Sequence, residues 1–144
     1  MQNDEIDILL IEDNSEDADL TIRALKKNSV TSRVLHLKDG AEALEYIFCT
    51  GQFSERNIEM KPKIVLLDLN MPKINGIDVL KKIKSDERTK IIPVVVLTSS
   101  KESPDVATCY QLGANSYIVK PVGFENFMQT ITELGLFWLM RNHQ

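Results

Sequence analysis

Short runs of branched apolar residues alternate with segments of helical period along the whole chain. Ile6, Ile8, Leu9, Leu10 and Ile11 are nearly continuous, the pattern of a parallel strand covered on both faces. Ser15 to Lys27 follows as a helix, with Asn14 or Ser15 as N-cap and acids in its first turn, where the helix dipole favours them. Ser32 to Leu37 sets Val34 and Leu35 among polar neighbours, a second strand, and Asp39 to Cys49 gathers Ala43, Leu44, Ile47 and Phe48 on one side of a second helix. Lys63 to Leu69 predicts the third strand and Ile77 to Lys84 the third helix. Pro93 opens a fourth strand, Val94 to Thr98, at a position where a missing N–H does little harm. Ser103-Pro104 reads as an N-cap with a first-turn proline, and Gly113 closes that fourth helix. Ser116 to Val119 is a short fifth strand, and Phe124 to about Met140 a long last helix.

Five strands alternating with five helices predict an open parallel sheet covered on both faces. Right-handed crossovers restrict its layout, and the flavodoxin-like order 2-1-3-4-5 leads. There is no internal repeat, low-complexity segment or linker, so residues 1–144 are expected to form a single domain. The oversized connection is Gly51 to Pro62, about twice the usual loop length. It reads first as a tolerated surface insertion and second as a recognition element.

Composition narrows the class. The 144 residues carry 17 Lys and Arg against 21 Asp and Glu, a formal charge of −4. With a pI near 5.2, the chain lacks the basic footprint of a nucleic-acid binder. Its longest apolar runs, such as Leu136 to Met140, fall far short of the ~20 residues that span a bilayer. The acidic start, Met1-Gln2-Asn3-Asp4-Glu5, is no signal peptide, and Cys49 and Cys109 form neither a metal-ligand pattern nor a disulfide framework. A reduced, cytoplasmic protein is expected.

Open α/β sheets bind ligands at the carboxyl ends of their strands. Glu12 and Asp13 follow the first strand, Asp68 ends the third, Thr98 the fourth and Lys120 the fifth. Singly each is unremarkable; together, segments far apart in sequence supply complementary groups to one edge. Carboxylates that share a pocket raise one another's pKa unless a cation sits between them. With oxygen donors alone and no nearby His or Cys ligand, that cation is hard, Mg²⁺ or Mn²⁺. Lys120 and Thr98 suit phosphoryl oxygens, and one carboxylate is left to attack phosphorus and form an acyl phosphate.

At this point the chain resembles a response-regulator receiver domain of two-component signalling, over nearly its whole length. The matching pieces are Leu10-Ile11-Glu12-Asp13-Asn14, Leu67-Asp68-Leu69-Asn70-Met71-Pro72, Asn75-Gly76, Val96-Leu97-Thr98-Ser99-Ser100, and Gly113 through Tyr117, Lys120 and Pro121. The resemblance implies that Asp68 is the phosphoacceptor, taking its phosphoryl group from a phosphohistidine of a sensor kinase. Asp13, Asp68 and the backbone carbonyl of Asn70 would coordinate Mg²⁺, with Glu12 reaching it through water. Lys120 would bridge to the phosphoryl oxygens, Thr98 and the Ser99 amide would donate to them, and Tyr117 would be the switch aromatic. Lys120-Pro121 matches the family's cis peptide, and Asn70 and Ser100 stand where the family tunes the lifetime of the phosphate. Such a protein catalyses only its own phosphorylation and autodephosphorylation.

The receiver pattern leaves no room for an effector, so output is expected through contacts of the domain itself. On the last helix, Phe124, Phe127, Met128, Ile131, Leu134 and Trp138 form a sheet-facing stripe, while Phe137, Leu139 and Met140 add apolar groups on other sides. These three read as a homodimer interface. The Phe-Trp-Leu ending and the long loop look like stand-alone receivers associated with phytochrome-type sensor kinases, so such a kinase is the expected partner, without nucleic acid or membrane.

Other readings fit less well. A dehalogenase-type phosphatase would want a second Asp two residues after Asp68, where this chain has Asn70. A flavodoxin-like FMN binder needs a Ser/Thr/Gly-rich loop after the first strand, where this chain has Glu12-Asp13-Asn14-Ser15-Glu16-Asp17. A scaffold that is never phosphorylated remains a third alternative. No Walker-type loop supports ATP use, and His36 and His143 read as surface residues.

Overall fold

The computed structural model describes residues 6–27, 33–71, 74–99, 101 and 104–136. Among them five strands, β1 (Ile8–Ile11), β2 (Val34–Leu37), β3 (Ile64–Asp68), β4 (Val94–Thr98) and β5 (Ser116–Val119), alternate with five α-helices. The helices are α1 (Ser15–Leu25), α2 (Gly40–Phe48), α3 (Gly76–Ser85), α4 (Pro104–Gln111) and α5 (Phe124–Glu133). All strand pairs are parallel, in the order β2-β1-β3-β4-β5. This is the flavodoxin-like layout that the alternation of patterns predicts.

The continuous apolar runs have a direct cause. Successive strand residues point to opposite faces. Leu9, Ile11, Val65, Leu67, Val94 and Val96 pack with Ala43, Ile47, Val79, Leu80, Ile83 and Cys109 of α2, α3 and α4. Ile8, Leu10, Ile64, Leu66, Val95 and Leu97 pack instead with Ala18 and Leu25 of α1 and Phe127 and Ile131 of α5. Every residue of β1, β3 and β4 is buried, and each such aliphatic side chain contributes about 1.5–3 kcal/mol on leaving water.

Helix starts follow their caps. Asn14, Asp39 and Asn75 accept the backbone N–H of Asp17 (2.9 Å), Glu42 (2.7 Å) and Asp78 (3.0 Å), so each helix departs soon after the carboxyl end of a strand.

The last helix departs from the expected length. It ends at Glu133, not near Met140. Gly135 adopts φ +75°, and the amides of Gly135 and Leu136 donate to the carbonyls of Thr132 (3.0 Å) and Ile131 (2.7 Å), a Schellman stop. Apolar spacing continues past Gly135 and masks this stop in the sequence. Trp138, expected on the sheet-facing stripe, and Phe137, Leu139 and Met140, expected at an interface on this helix, lie past its end and outside the described residues.

The long connection between α2 and β3 is packed down. It opens with a 3₁₀ turn, Gly51–Phe53, whose Phe53 ring meets Tyr46 edge-on at 5.1 Å. Arg56 stacks its guanidinium 3.7 Å above the Tyr46 ring and donates to the carbonyls of Tyr46 and Met60 (the latter 2.6 Å). The loop enters β3 at its amino end, opposite the edge that carries the candidate site.

Candidate functional site

Register brings the candidate groups together. Ile11 pairs with Leu67, so Glu12 and Asp68 leave neighbouring strands side by side. Asp68 pairs with Leu97 and Thr98 with Val119, which puts Thr98 and Lys120 beside them. The Lys120 amide donates to the Thr98 carbonyl at 2.7 Å. The start of α3 packs tightly against the end of β3: a Cβ on Gly76 would stand 2.5 Å from the Asp68 carbonyl oxygen and 2.6 Å from Leu69 Cα.

Glu12 and Asp68 are each 1% exposed. The Lys120 ammonium lies 3.2 Å from Glu12 Oε1, 3.1 Å from Asp68 Oδ1 and 3.5 Å from Asp17 Oδ2. Backbone amides add to the cradle: Asn14 donates to Glu12 Oε2 at 3.2 Å and Asn70 to Asp68 Oδ1 at 3.2 Å. Burial, and next the Asp68 carboxylate, push the Glu12 carboxyl up to about 7, with Lys120 only partly opposing them. Burial works against the Lys120 ammonium, but Asp68 and Glu12 outweigh it and hold its pKa above the usual lysine value. One lysine therefore does not neutralise the pocket.

Asp13, exposed, brings its carboxylate to the same place: oxygens of Glu12, Asp13 and Asp68 lie within 4.8 Å of one another. Glu12 Oε1 is buried without a directed hydrogen bond, its contact with Lys120 being one of charge. An all-oxygen set with excess negative charge and an orphaned buried acceptor fits a hard divalent cation.

The other expected residues fall as follows. Thr98 is buried at the end of β4, with Ser99 exposed beside it. Tyr117 is half-buried on β5, its ring edge-on to Tyr110 of α4 at 6.1 Å. Lys120-Pro121 is a cis peptide. Asn70 is exposed beside Asp68, while Ser100 and His143 lie outside the described residues.

Two residues near the site escape the sequence reading. Asp17, there a helix-dipole acid, contacts Lys120, and nothing in the local sequence marks that contact. His36 is a half-buried residue rather than a surface one, and its Nε2 donates to the Glu12 carbonyl at 2.7 Å. Its place within an apolar strand, Leu35-His36-Leu37, marked it.

Sheet and edge together define a class: doubly wound α/β proteins with an acidic, cation-ready pocket and one lysine at the strand ends. The family profile described as the response regulator receiver domain matches residues 8–132, and the chain belongs to that family. The probable methanogenesis regulatory protein FilR2 of Methanothrix harundinacea is 42% identical over 132 residues, covering 92% of this chain and 83% of that protein. Among solved structures, the bacteriophytochrome response regulator RtBRR superposes with a TM-score of 0.86 at 44% identity, over 96% of this chain and 83% of that one. The bacteriophytochrome response regulator AtBRR gives 0.86 at 42%, over 98% and 100%. The Mn²⁺-bound response regulator Rcp1 gives 0.75 at 33%, over 96% and 97%. The phosphorylated cyanobacterial phytochrome response regulator RcpA gives 0.77 at 37%, over 96% and 97%. No described helix is long and apolar enough to cross a membrane.

Proposed function

We propose that Asp68 accepts a phosphoryl group from the phosphohistidine of a phytochrome-type sensor histidine kinase. The observation that carries this reading is the placement of Asp68: buried at the end of β3, 3.1 Å from the Lys120 ammonium and beside Glu12 and Asp13. A carboxylate oxygen of Asp68 forms the new P–O bond as the P–N bond to the imidazole breaks. Lys120 meets the charge on the phosphoryl oxygens, and the Thr98 hydroxyl and Ser99 amide donate to them. Glu12, Asp13, Asp68 and the Asn70 carbonyl are the groups that would hold Mg²⁺, or Mn²⁺ as in the Rcp1 structure. When bound, the cation neutralises the carboxylates and polarises the phosphoryl oxygens.

Output follows from Thr98 and Tyr117. Thr98 turns toward the phosphoryl group, and the Tyr117 ring follows inward, altering the surface it forms with Tyr110. Water later attacks phosphorus and restores Asp68, with Asn70 and Ser100 setting the lifetime. The protein acts as a signalling component that turns over only its own phosphoryl group. Two copies are expected to pair through Phe137, Leu139 and Met140; Phe137→Glu and Leu139→Glu lower the mass in light scattering, and an unaltered mass would count against this pairing.

Acetyl phosphate with Mg²⁺ tests the core of the reading. One phosphoryl group per chain, lost in Asp68→Asn and with EDTA, is the expected result by intact mass. Undiminished labelling of Asp68→Asn would refute it. Transfer from a panel of sensor kinases then tests the partner, with the phytochrome-type kinase expected to react fastest.

A further inference from the structure

Lys120 stands among three carboxylates, and only Glu12 and Asp68 belong to the reading above. The third, Asp17, sits on the first turn of α1 with Oδ2 3.5 Å from the ammonium. Its backbone is held in place: the Asp17 N–H donates to Asn14 Oδ1 at 2.9 Å, and the Asn14 N–H donates to Glu12 Oε2 at 3.2 Å. Lys120 touches Glu12 at 3.2 Å, so Glu12, Asn14, Asp17 and Lys120 close a ring. Asp17 and Lys120 also line one side of a cavity of about 220 Å³, with Leu20, Thr21, Pro121 and Val122. The Asp17 side chain is 43% exposed, against 22% for Lys120 and 2% for Asp68, which makes it the solvent-side partner of the lysine.

We propose that Asp17 is a positioning residue that holds the Lys120 ammonium toward α1 and competes for it with a phosphoryl group on Asp68. The proposal rests on Asp68 being the phosphoacceptor. Converting that carboxylate to an acyl phosphate adds negative charge at the strand edge, and Lys120 has one positive charge to share. Glu12 and Asp68 lie at that edge, whereas Asp17 belongs to the helix. Drawing the ammonium onto the phosphoryl oxygens therefore loosens its contact with Asp17. Asp17 thus sets how strongly the site retains a phosphoryl group.

Binding of beryllofluoride, a phosphoryl mimic, in the presence of Mg²⁺ tests this. Asp17→Asn should tighten binding about two- to five-fold, the size of a partly exposed ion pair. Asp17→Ser should do the same, which guards against an effect peculiar to one side chain. Asp17→Glu should restore the wild-type value. Asp19→Asn, which removes the same charge from an exposed position on the same helix, should leave binding unchanged. Unchanged or weaker binding by Asp17→Asn, an equal effect of Asp19→Asn, or failure of Asp17→Glu to restore would each overturn the proposal. If wild type binds beryllofluoride through Asp68 and these variants fail the pattern, the positioning role alone falls. If wild type shows no Asp68-dependent binding, the phosphoacceptor assignment falls and takes this proposal with it.

Discussion

Lys84 of α3 donates to the side-chain oxygen of Asn115 at 3.0 Å, 31 residues away. The same oxygen accepts the Val94 N–H at 2.9 Å, and the ammonium also reaches the carbonyls of Ile92 (2.6 Å) and Lys90 (3.0 Å). Burial pulls the Lys84 pKa below the usual lysine value, so its three acceptors are what keep the charge tolerable there. These bonds tie α3, the entry to β4 and the entry to β5 together at the edge opposite the site.

Asn115→Ala strips one charged and one backbone donor of their acceptor. Stability should fall by about 1 kcal/mol in urea denaturation, since the Val94 N–H is left without its acceptor while Lys84 keeps the carbonyls of Ile92 and Lys90. Acetyl phosphate labelling of the folded fraction should be unchanged, because the site lies at the other strand ends.

The Glu12 carboxyl, raised from 4.5 to about 7, gives the metal-free protein a pH signature. A carboxyl whose folded pKa exceeds its unfolded one binds its proton more tightly when folded. Its stabilising effect is therefore full at acid pH and is lost as pH rises from about 4.5 to about 7. Melting temperature with EDTA should drop across that window, and Glu12→Gln should flatten the drop. Added Mg²⁺ should reduce it too, by binding the ionised carboxylates.

Asp13→Asn separates repulsion from metal binding. Without metal the variant should melt about 2 °C higher, as expected for removing one exposed like charge from the cluster. Its Mg²⁺ affinity, read by titration, should fall. A lower metal-free melting temperature would argue against mutual repulsion at this edge.

Two glycines make contrasting demands. Gly76 has no room: an added Cβ would stand 2.5 Å from the Asp68 carbonyl oxygen, so Gly76→Ala should cost about 2 kcal/mol or more and slow phosphorylation by shifting the end of β3. Gly135 has room but needs its left-handed backbone, with nothing within 4 Å of an added Cβ and φ +75°. Gly135→Ala should cost about 1 kcal/mol and leave phosphorylation untouched. Calorimetry and labelling of both variants check the contrast.

Removing Arg56 should free the long loop. Arg56→Ala loses the stack on Tyr46 and the bonds to the carbonyls of Tyr46 and Met60. Amide exchange over residues 51–62 should speed up while β1 and β3 stay protected.

The strands were legible because parallel pairing buries both faces, so Ile8–Ile11 and Val94–Thr98 read as apolar runs with little competition. Strand ends then located Glu12, Asp68, Thr98 and Lys120, since the carboxyl edge follows from topology alone. What escaped depended on distance in space or on a single backbone conformation. Asp17 meets Lys120 across 103 residues of sequence, Arg56 is held by the far end of α2, and Gly135 stops a helix whose apolar spacing continues without it. Periodicity records which side a residue faces, but not which partner meets it there.

The short backbone bond from the Lys120 amide to the Thr98 carbonyl has a consequence for the carboxyl edge of the sheet. It works as a fixed gauge between the hydroxyl-bearing and ammonium-bearing strands, setting the spacing of their main chains. The parts left adjustable at this edge are then the side-chain torsions of Thr98 and Lys120.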